Sequence, residues 1–340
     1  MKGKKSKKKI ALYIVLGILA AIVIAVGIDI CVTEINASKI PHRYASKEEG
    51  VQLMLSNNEY FDNCNQNDVE FRVKKIGATI DDYRTASAES VKEFGIFEKY
   101  YLDRQFSKMY KRLKSNDYTL PEIDEMVLIK MDMGIESGAS GFTHGTEIYL
   151  NSIVVVSDML MSLMPGGSNI DMSMEKLLWH EMFHCLTRCN PDFRTDMYSL
   201  INFTVVGEDY ELPPCIKDKA LSNPDVEHRN SYATFEINGQ EIDCFVVWMS
   251  TEDYADVQTD WSDYEAVALV PIDGSDVYYM ADEASNFDEV FGTNTYYTID
   301  PEECLADNFA YAMKSGIEGY GGRGYNNPEI IQGIIDWMSK

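Results

Sequence analysis

The seven cysteines of this chain include no CxxC pair, and the sequence has no internal repeat, no low-complexity tract and no second long apolar run. Without CxxC spacing there is neither a zinc ribbon nor a dithiol redox motif, so metal binding by cysteine is not expected. Positive charge is also scarce beyond the start. Lys2, Lys4, Lys5, Lys7, Lys8 and Lys9 crowd the first nine residues, yet the formal net charge is -25. An acidic surface repels phosphate backbones, which makes nucleic acid an unsuitable partner. Histidine is rare too, at five in 340 residues, so two of them close together call for an explanation.

What the chain does contain begins with "IALYIVLGILAAIVIAVGI", Ile10 to Ile28, which is free of charge. As a helix it would span roughly 28 Å, the thickness of a bilayer's hydrocarbon core. Cleaved signal peptides have shorter apolar regions and a small-residue cleavage site, and none precedes Asp29. Bulky Ile30 before Cys31 also argues against a lipoprotein site. We therefore expect residues 1–9 to be a basic cytoplasmic segment and 10–32 an uncleaved membrane anchor, with everything beyond facing outward. The other six cysteines, Cys64, Cys185, Cys189, Cys215, Cys244 and Cys304, are an even number in what would be an oxidising compartment. They allow 15 pairings, among which sequence cannot choose.

Composition is globular, with 45% hydrophobic and 25% charged residues. The patterns predict an α+β fold. Residues 33–120 have apolar positions at helical spacing and read as a helical membrane-proximal region. "EMVLIKMDM" and "GTEIYLN" read as strands joined by a loop from Gly134 to Gly145, and "SIVVVSDMLMSLM" as a helix. Between about 200 and 299 the pattern turns to strands, with Asn238-Gly239 and Asp273-Gly274 as hairpin turns. Helices return after Asp300-Pro301 and Asn327-Pro328, each pair an N-cap with proline in the first helical position.

The histidines lie in "LLWHEMFHCL", on a helix expected to start near Asp171 or Ser173 and to end at Asn190-Pro191. With His180 set at zero, His184 falls near 40° and Glu181 near 100°, at about 100° per residue. Met174, Leu178, Met182, Cys185 and Cys189 occupy a separate apolar stripe, between about 120° and 200°. Side chains four apart can converge two imidazoles on one zinc ion. Glu181, turned aside, can reach a water rather than the metal and serve as general base. Chance alignment of these three residues has a probability on the order of one in a hundred.

His180, Glu181 and His184 match HExxH, and here the chain resembles the zincin metallopeptidases. Thr187 and Asn190 stand where the metzincin branch has glycine and its third histidine. The gluzincin branch takes its third ligand from a later helix, often within ExxxD, and Glu303 and Asp307 fit that pattern. The resemblance thus implies a zincin-like catalytic domain over 121–340, with 200–299 as a β-rich insertion above the cleft. It implies one zinc ion per chain held by His180, His184 and Glu303, Asp307 orienting His180 through its other ring nitrogen, and Glu181 activating water. The i, i+4 spacing puts Glu303 and Asp307 on one helix face. Glu303 also completes a capping box with Asp300, which leaves open a purely structural role, and Glu302 is a second candidate ligand.

A zincin also implies an edge strand that pairs with substrate backbone, for which Thr146 to Leu150 is the candidate. His144 is a candidate cleft residue, and Tyr297, Tyr311 and His228 are candidate oxyanion donors. The expected activity is hydrolysis of peptide or protein substrates outside the cytoplasm. Two other readings remain open: a non-catalytic surface binding or sensing protein, and a zinc hydrolase of non-peptide amides.

Overall fold

The computed structural model describes residues 2–164 and 173–340, with side chains from residue 12 onward. It is mixed α+β. Helix α1 (Lys2–Ala37) is unbroken, and its stretch from Leu12 to Ala37 is long and apolar enough to cross a membrane. Its side chains are exposed on every face up to Val32, whereas Thr33 and Ala37 are buried. The helix thus runs beyond the expected end of the anchor and docks its last turns on the rest of the chain.

Strand β1 (His42–Tyr44) and helices α2 (Lys47–Ser56), α3 (Asn58–Asn63), α4 (Gln66–Val73) and α5 (Ile80–Ser90) follow. Next come β2 (Val91–Lys92) and the long helix α6 (Ile96–Ser115). The first sheet is completed by β3 (Met126–Met131), β4 (Gly141–His144) and β5 (Glu147–Asn151), in the order β1-β3-β5-β4, with β2 pairing with β3. β3 runs parallel to β1 and β5, while β4 is antiparallel to β5. In β3 only Lys130 is not fully buried, as suits an apolar strand enclosed by neighbours.

Two expectations change here. Residue 120 is not a structural seam, because β1 and β2 from the membrane-proximal region pair with β3. The stretch Thr146–Leu150 is not an edge strand, because β5 lies between β3 and β4. The edge is β4, which falls inside the expected loop and is turned back onto β5 at Gly145, whose φ of +55° suits glycine.

Helix α7 (Ser152–Ser162) precedes α8 (Met174–Cys189), which bears the histidine pair. Ser173 caps α8 by accepting from the Lys176 amide, and the alternative start at Asp171 lies outside the described residues. Then come α9 (Pro191–Ser199), β6 (Thr204–Val205), α10 (Pro214–Lys217), β7 (Ser231–Ile237), β8 (Gln240–Ser250), α11 (Tyr254–Val257), β9 (Glu265–Pro271) and β10 (Tyr279–Met280). Strands β6 to β10 form a second, antiparallel sheet. Asn238 and Gly239 both have positive φ, 54° and 72°, as a two-residue hairpin turn between β7 and β8 requires. Asp273-Gly274 sits in a wider turn, since β10 starts only at Tyr279.

Three helices close the chain: α12 (Phe287–Phe291), α13 (Pro301–Ser315) and α14 (Pro328–Met338). α8 packs against α13 and also touches α6, α9 and β4. Trp179 and Phe183 of α8 meet Phe309 of α13 at ring-centroid distances of 6.1 and 5.4 Å, and all three are fully buried. This aromatic contact fixes how the two helices face each other. The seven cysteines are free thiols; Cys185, Cys244 and Cys304 are buried as small apolar fillers.

Candidate metal centre

The contact between α8 and α13 aligns the polar face of one with that of the other. His180 Nδ1 lies 3.3 Å from Asp307 Oδ1, and its Nε2 lies 3.1 Å from Glu303 Oε2. His184 Nδ1 lies 3.1 Å from Glu302 Oε1. Its Nε2 is 3.7 Å from Glu303 Oε2 and, among the described residues, has no hydrogen-bond partner although it is buried. With each Nδ1 facing a carboxylate, both Nε2 atoms turn towards one place beside Glu303 Oε2. His180, His184 and Glu303 each offer one ligand atom there, all within 4.8 Å of one another. This buried cluster can hold a metal ion.

Each carboxylate has support. Asp307 accepts from Thr295 Oγ1 at 2.6 Å and is 3.0 Å from Lys176 Nζ. Glu302 accepts from Thr187 Oγ1 at 2.6 Å and from the Tyr198 hydroxyl at 2.7 Å. Glu303 takes no part in a capping box, because the Asp300 side chain accepts instead from the Glu302 amide. Glu303 Oε1 accepts from Asn223 Nδ2 at 2.7 Å.

Glu181 sits to one side, 1% exposed, with its Oε2 accepting from Thr143 Oγ1 at 2.8 Å. Strand β4 comes so close that a Cβ on Gly141 would lie 2.8 Å from Glu181 Oε1 and 3.1 Å from the Tyr149 carbonyl. Only glycine leaves room for the carboxylate.

The electrostatics call for a cation. Glu181, Asp225, Glu302, Glu303 and Asp307 are all buried together. Burial pushes the Glu181 carboxyl up, against the pull of His180 and His184. Asp225 is held well above the usual range, first by burial and then by repulsion from Glu181 and Glu303. Burial opposes charge on His180, but Asp307 and Glu303 outweigh it and hold the imidazole well above the ordinary histidine range. Positive charge on His180 offsets part of the negative charge that these buried carboxylates bring together.

A strap from Asn223 to Glu227 crosses this centre. Asp225 Oδ1 accepts from the Thr143 amide at 2.6 Å and lies 3.9 Å from His184 Nε2. Glu227 Oε1 accepts from the Gly145 amide at 2.9 Å. Asn223, Asp225 and Glu227, alternate residues, thus engage Glu303, one amide of the edge strand and the amide of the turn that follows it. Beside the strap is a cavity of about 280 Å³ lined in part by Phe142, Asp225, Trp248, Trp261 and Tyr297.

The remaining candidates separate. The Tyr297 ring stacks on His180 at 6.1 Å and is 40% exposed, facing the cavity. The Tyr311 hydroxyl lies 3.4 Å from Lys176 Nζ, and its ring meets that of Tyr325 at a tilt, away from the cavity. His228 is exposed and pairs with Asp209. His144 does not line the cleft: it is buried among Tyr60, Phe142 and Tyr149, because the edge strand turns its side chain towards that cluster.

The anchoring role of Glu302 and the strap were not foreseen. An acidic residue beside Glu303 gave a partial signal for the first; the strap has none beyond its alternating polar residues. Comparison with protein-family models, curated proteins and solved structures finds no match for this chain.

Proposed function

We propose that this chain is a membrane-anchored zinc peptidase of gluzincin type, acting on peptide or protein substrates outside the cytoplasm. The apolar stretch of α1 is the anchor, and the lysines in its first turns stay on the cytoplasmic side. The observation that carries the reading is the convergence of two Nε2 atoms and one carboxylate, with both Nδ1 atoms engaged and a further carboxylate alongside. In this reading His180, His184 and Glu303 hold one zinc ion. When bound, zinc supplies Lewis acidity to the scissile carbonyl and to a water. Glu181 takes the proton of the attacking water and returns it to the leaving amine, and its upward shift by burial suits both transfers. Thr143 orients that carboxylate. Tyr297, beside His180 and open to the cavity, is the best sited of the candidate oxyanion donors.

The test is zinc analysis of the reconstituted full chain together with peptide-library cleavage, with and without a chelator. The wild type is expected to hold one zinc and to cleave in a chelator-sensitive way. Glu181→Gln should keep zinc and cleave at least about 100-fold more slowly. Full activity in that variant sinks the proposed base, and absence of zinc after reconstitution removes the metal.

A further inference from the structure

Helices α1 and α6 run parallel with a constant offset. Asn36 Nδ2 donates to Ser107 Oγ at 3.3 Å, and the Tyr100 hydroxyl donates to Asp29 Oδ2 at 2.6 Å; both pairs are 71 residues apart. Tyr100 and Ser107 are seven apart and so share a face of α6, the one that α1 covers. Ile96 and Phe97 sit one turn earlier, flanking that face about 40° and 60° to either side of Tyr100. The offset of 71 sets them level with Ala25 and Val26, inside the apolar run, whereas Asp29 is the first charged residue after it. At 1.5 Å per residue, Ile96 and Phe97 lie about 5–6 Å to the apolar side of the Tyr100–Asp29 pair.

Both are almost fully open, at 78% and 77% exposure, although they are among the bulkiest apolar side chains available. Left in water they contribute little to stability, and among the described residues the fold leaves them almost uncovered. A tyrosine hydrogen-bonded at the boundary with two apolar side chains one turn deeper matches the layering of a lipid interface.

We propose that Ile96 and Phe97 enter the bilayer boundary beside α1, so that the first turn of α6 is a second contact with lipid. This rests on the reading of α1 as a membrane span. Because α6 packs on α8 and α13, the contact helps fix the height and tilt over the bilayer of the two helices that carry the candidate metal ligands.

The experiment uses the full chain in phosphatidylcholine nanodiscs, with the photoreactive residue p-benzoylphenylalanine placed singly at Phe97, Ile96, Val23 or Lys111 and lipid adducts read by mass spectrometry. Lys111 is exposed on the same helix, about 21 Å further along its axis than Phe97. Adducts at position 97 or 96 comparable to those at 23, with position 111 at least about ten-fold lower, are the expected result for an interfacial contact. Adducts at 23 with neither 96 nor 97 above 111 overturn the inference and leave the anchor standing. Absence of adducts at 23 overturns the anchor reading and the inference with it.

Discussion

Arg188, in the last turn of α8, reaches Glu227 with its Nε 2.9 Å from the carboxylate, and so ties the strap to the helix that carries the histidines. The same guanidinium donates to the Pro224 carbonyl at 3.1 Å and to that of Gly145 at 3.4 Å. One side chain therefore joins motif helix, strap and edge strand. A substrate that adds its backbone to β4 needs the Thr143 amide, which the strap occupies along with the Gly145 amide in the turn beyond.

Opening of the strap should accordingly be a step that substrate binding has to drive. Replacing Arg188 removes a clamp of up to about 1 kcal/mol, which raises the open population up to about 5-fold. Arg188→Ala is expected to lower KM for peptides by a factor in that range, with zinc content unchanged. Steady-state kinetics on a cleaved library peptide checks this; an unchanged or raised KM with intact zinc would show that the strap does not compete with substrate.

Gly141 tests the placement of Glu181. A methyl group there would meet the Glu181 carboxylate at 2.8 Å and the Tyr149 carbonyl at 3.1 Å, and the carboxylate, at the end of a flexible side chain, is the group that gives way. Gly141→Ala should displace the carboxylate and cut kcat by about 100-fold, since small misplacements of a catalytic group are costly. Zinc affinity should stay within a few-fold of the wild type, because none of the three proposed ligands touches Gly141. Loss of zinc alongside activity would mean that β4 supports the metal site rather than the base.

Glu302 shows where sequence reading reaches its limit. Glu303 and Asp307 were legible because four residues make one helical turn and place both on one face. Nothing in that periodicity says that the neighbouring Glu302, about 100° around the helix, turns to His184 while Glu303 lies between the two histidines. That depends on the angle at which α13 crosses α8, set by Trp179, Phe183 and Phe309. The β4 edge was illegible for a related reason. "GFTHGTEIYLN" reads as loop and strand, but whether a strand lies at the edge or inside depends on partners distant in sequence. The α+β class and the Asn238-Gly239 hairpin were legible because they are written in local pattern. The strap was not, since its hydrogen bonds run to three separate elements.

The same residue gives a prediction. Glu302 faces His184 Nδ1 at 3.1 Å, which leaves Nε2 aimed at the proposed metal position. Glu302→Gln retains the volume but loses the charge, and should weaken zinc binding by about 10- to 100-fold. Competition with a chromophoric chelator measures it. Affinity equal to the wild type would reduce Glu302 to a packing partner of Thr187 and Tyr198.

His144 supplies a pH dependence independent of the metal. Burial first, and then the nearby charges of Arg188 and Arg72, depress its pKa from 6.5 to about 3. Above pH 6.5 the imidazole is neutral in both folded and unfolded chains and carries no penalty. As pH falls below 6.5 the unfolded chain takes up a proton that the native state refuses, so stability declines until the native imidazole also protonates near pH 3. Within that window His144 contributes a slope of up to about 1.4 kcal/mol per pH unit. His144→Phe keeps an aromatic ring among Tyr60, Phe142 and Tyr149 and removes the titrating group, along with an Nε2 that has no partner among the described residues. Denaturant unfolding of the two proteins between pH 7 and pH 3.5 should therefore give a shallower acid decline for the variant, with the curves diverging only below about pH 6.5. Parallel curves would mean that His144 protonates in the native state as readily as in the unfolded chain, and that its aromatic surroundings admit water.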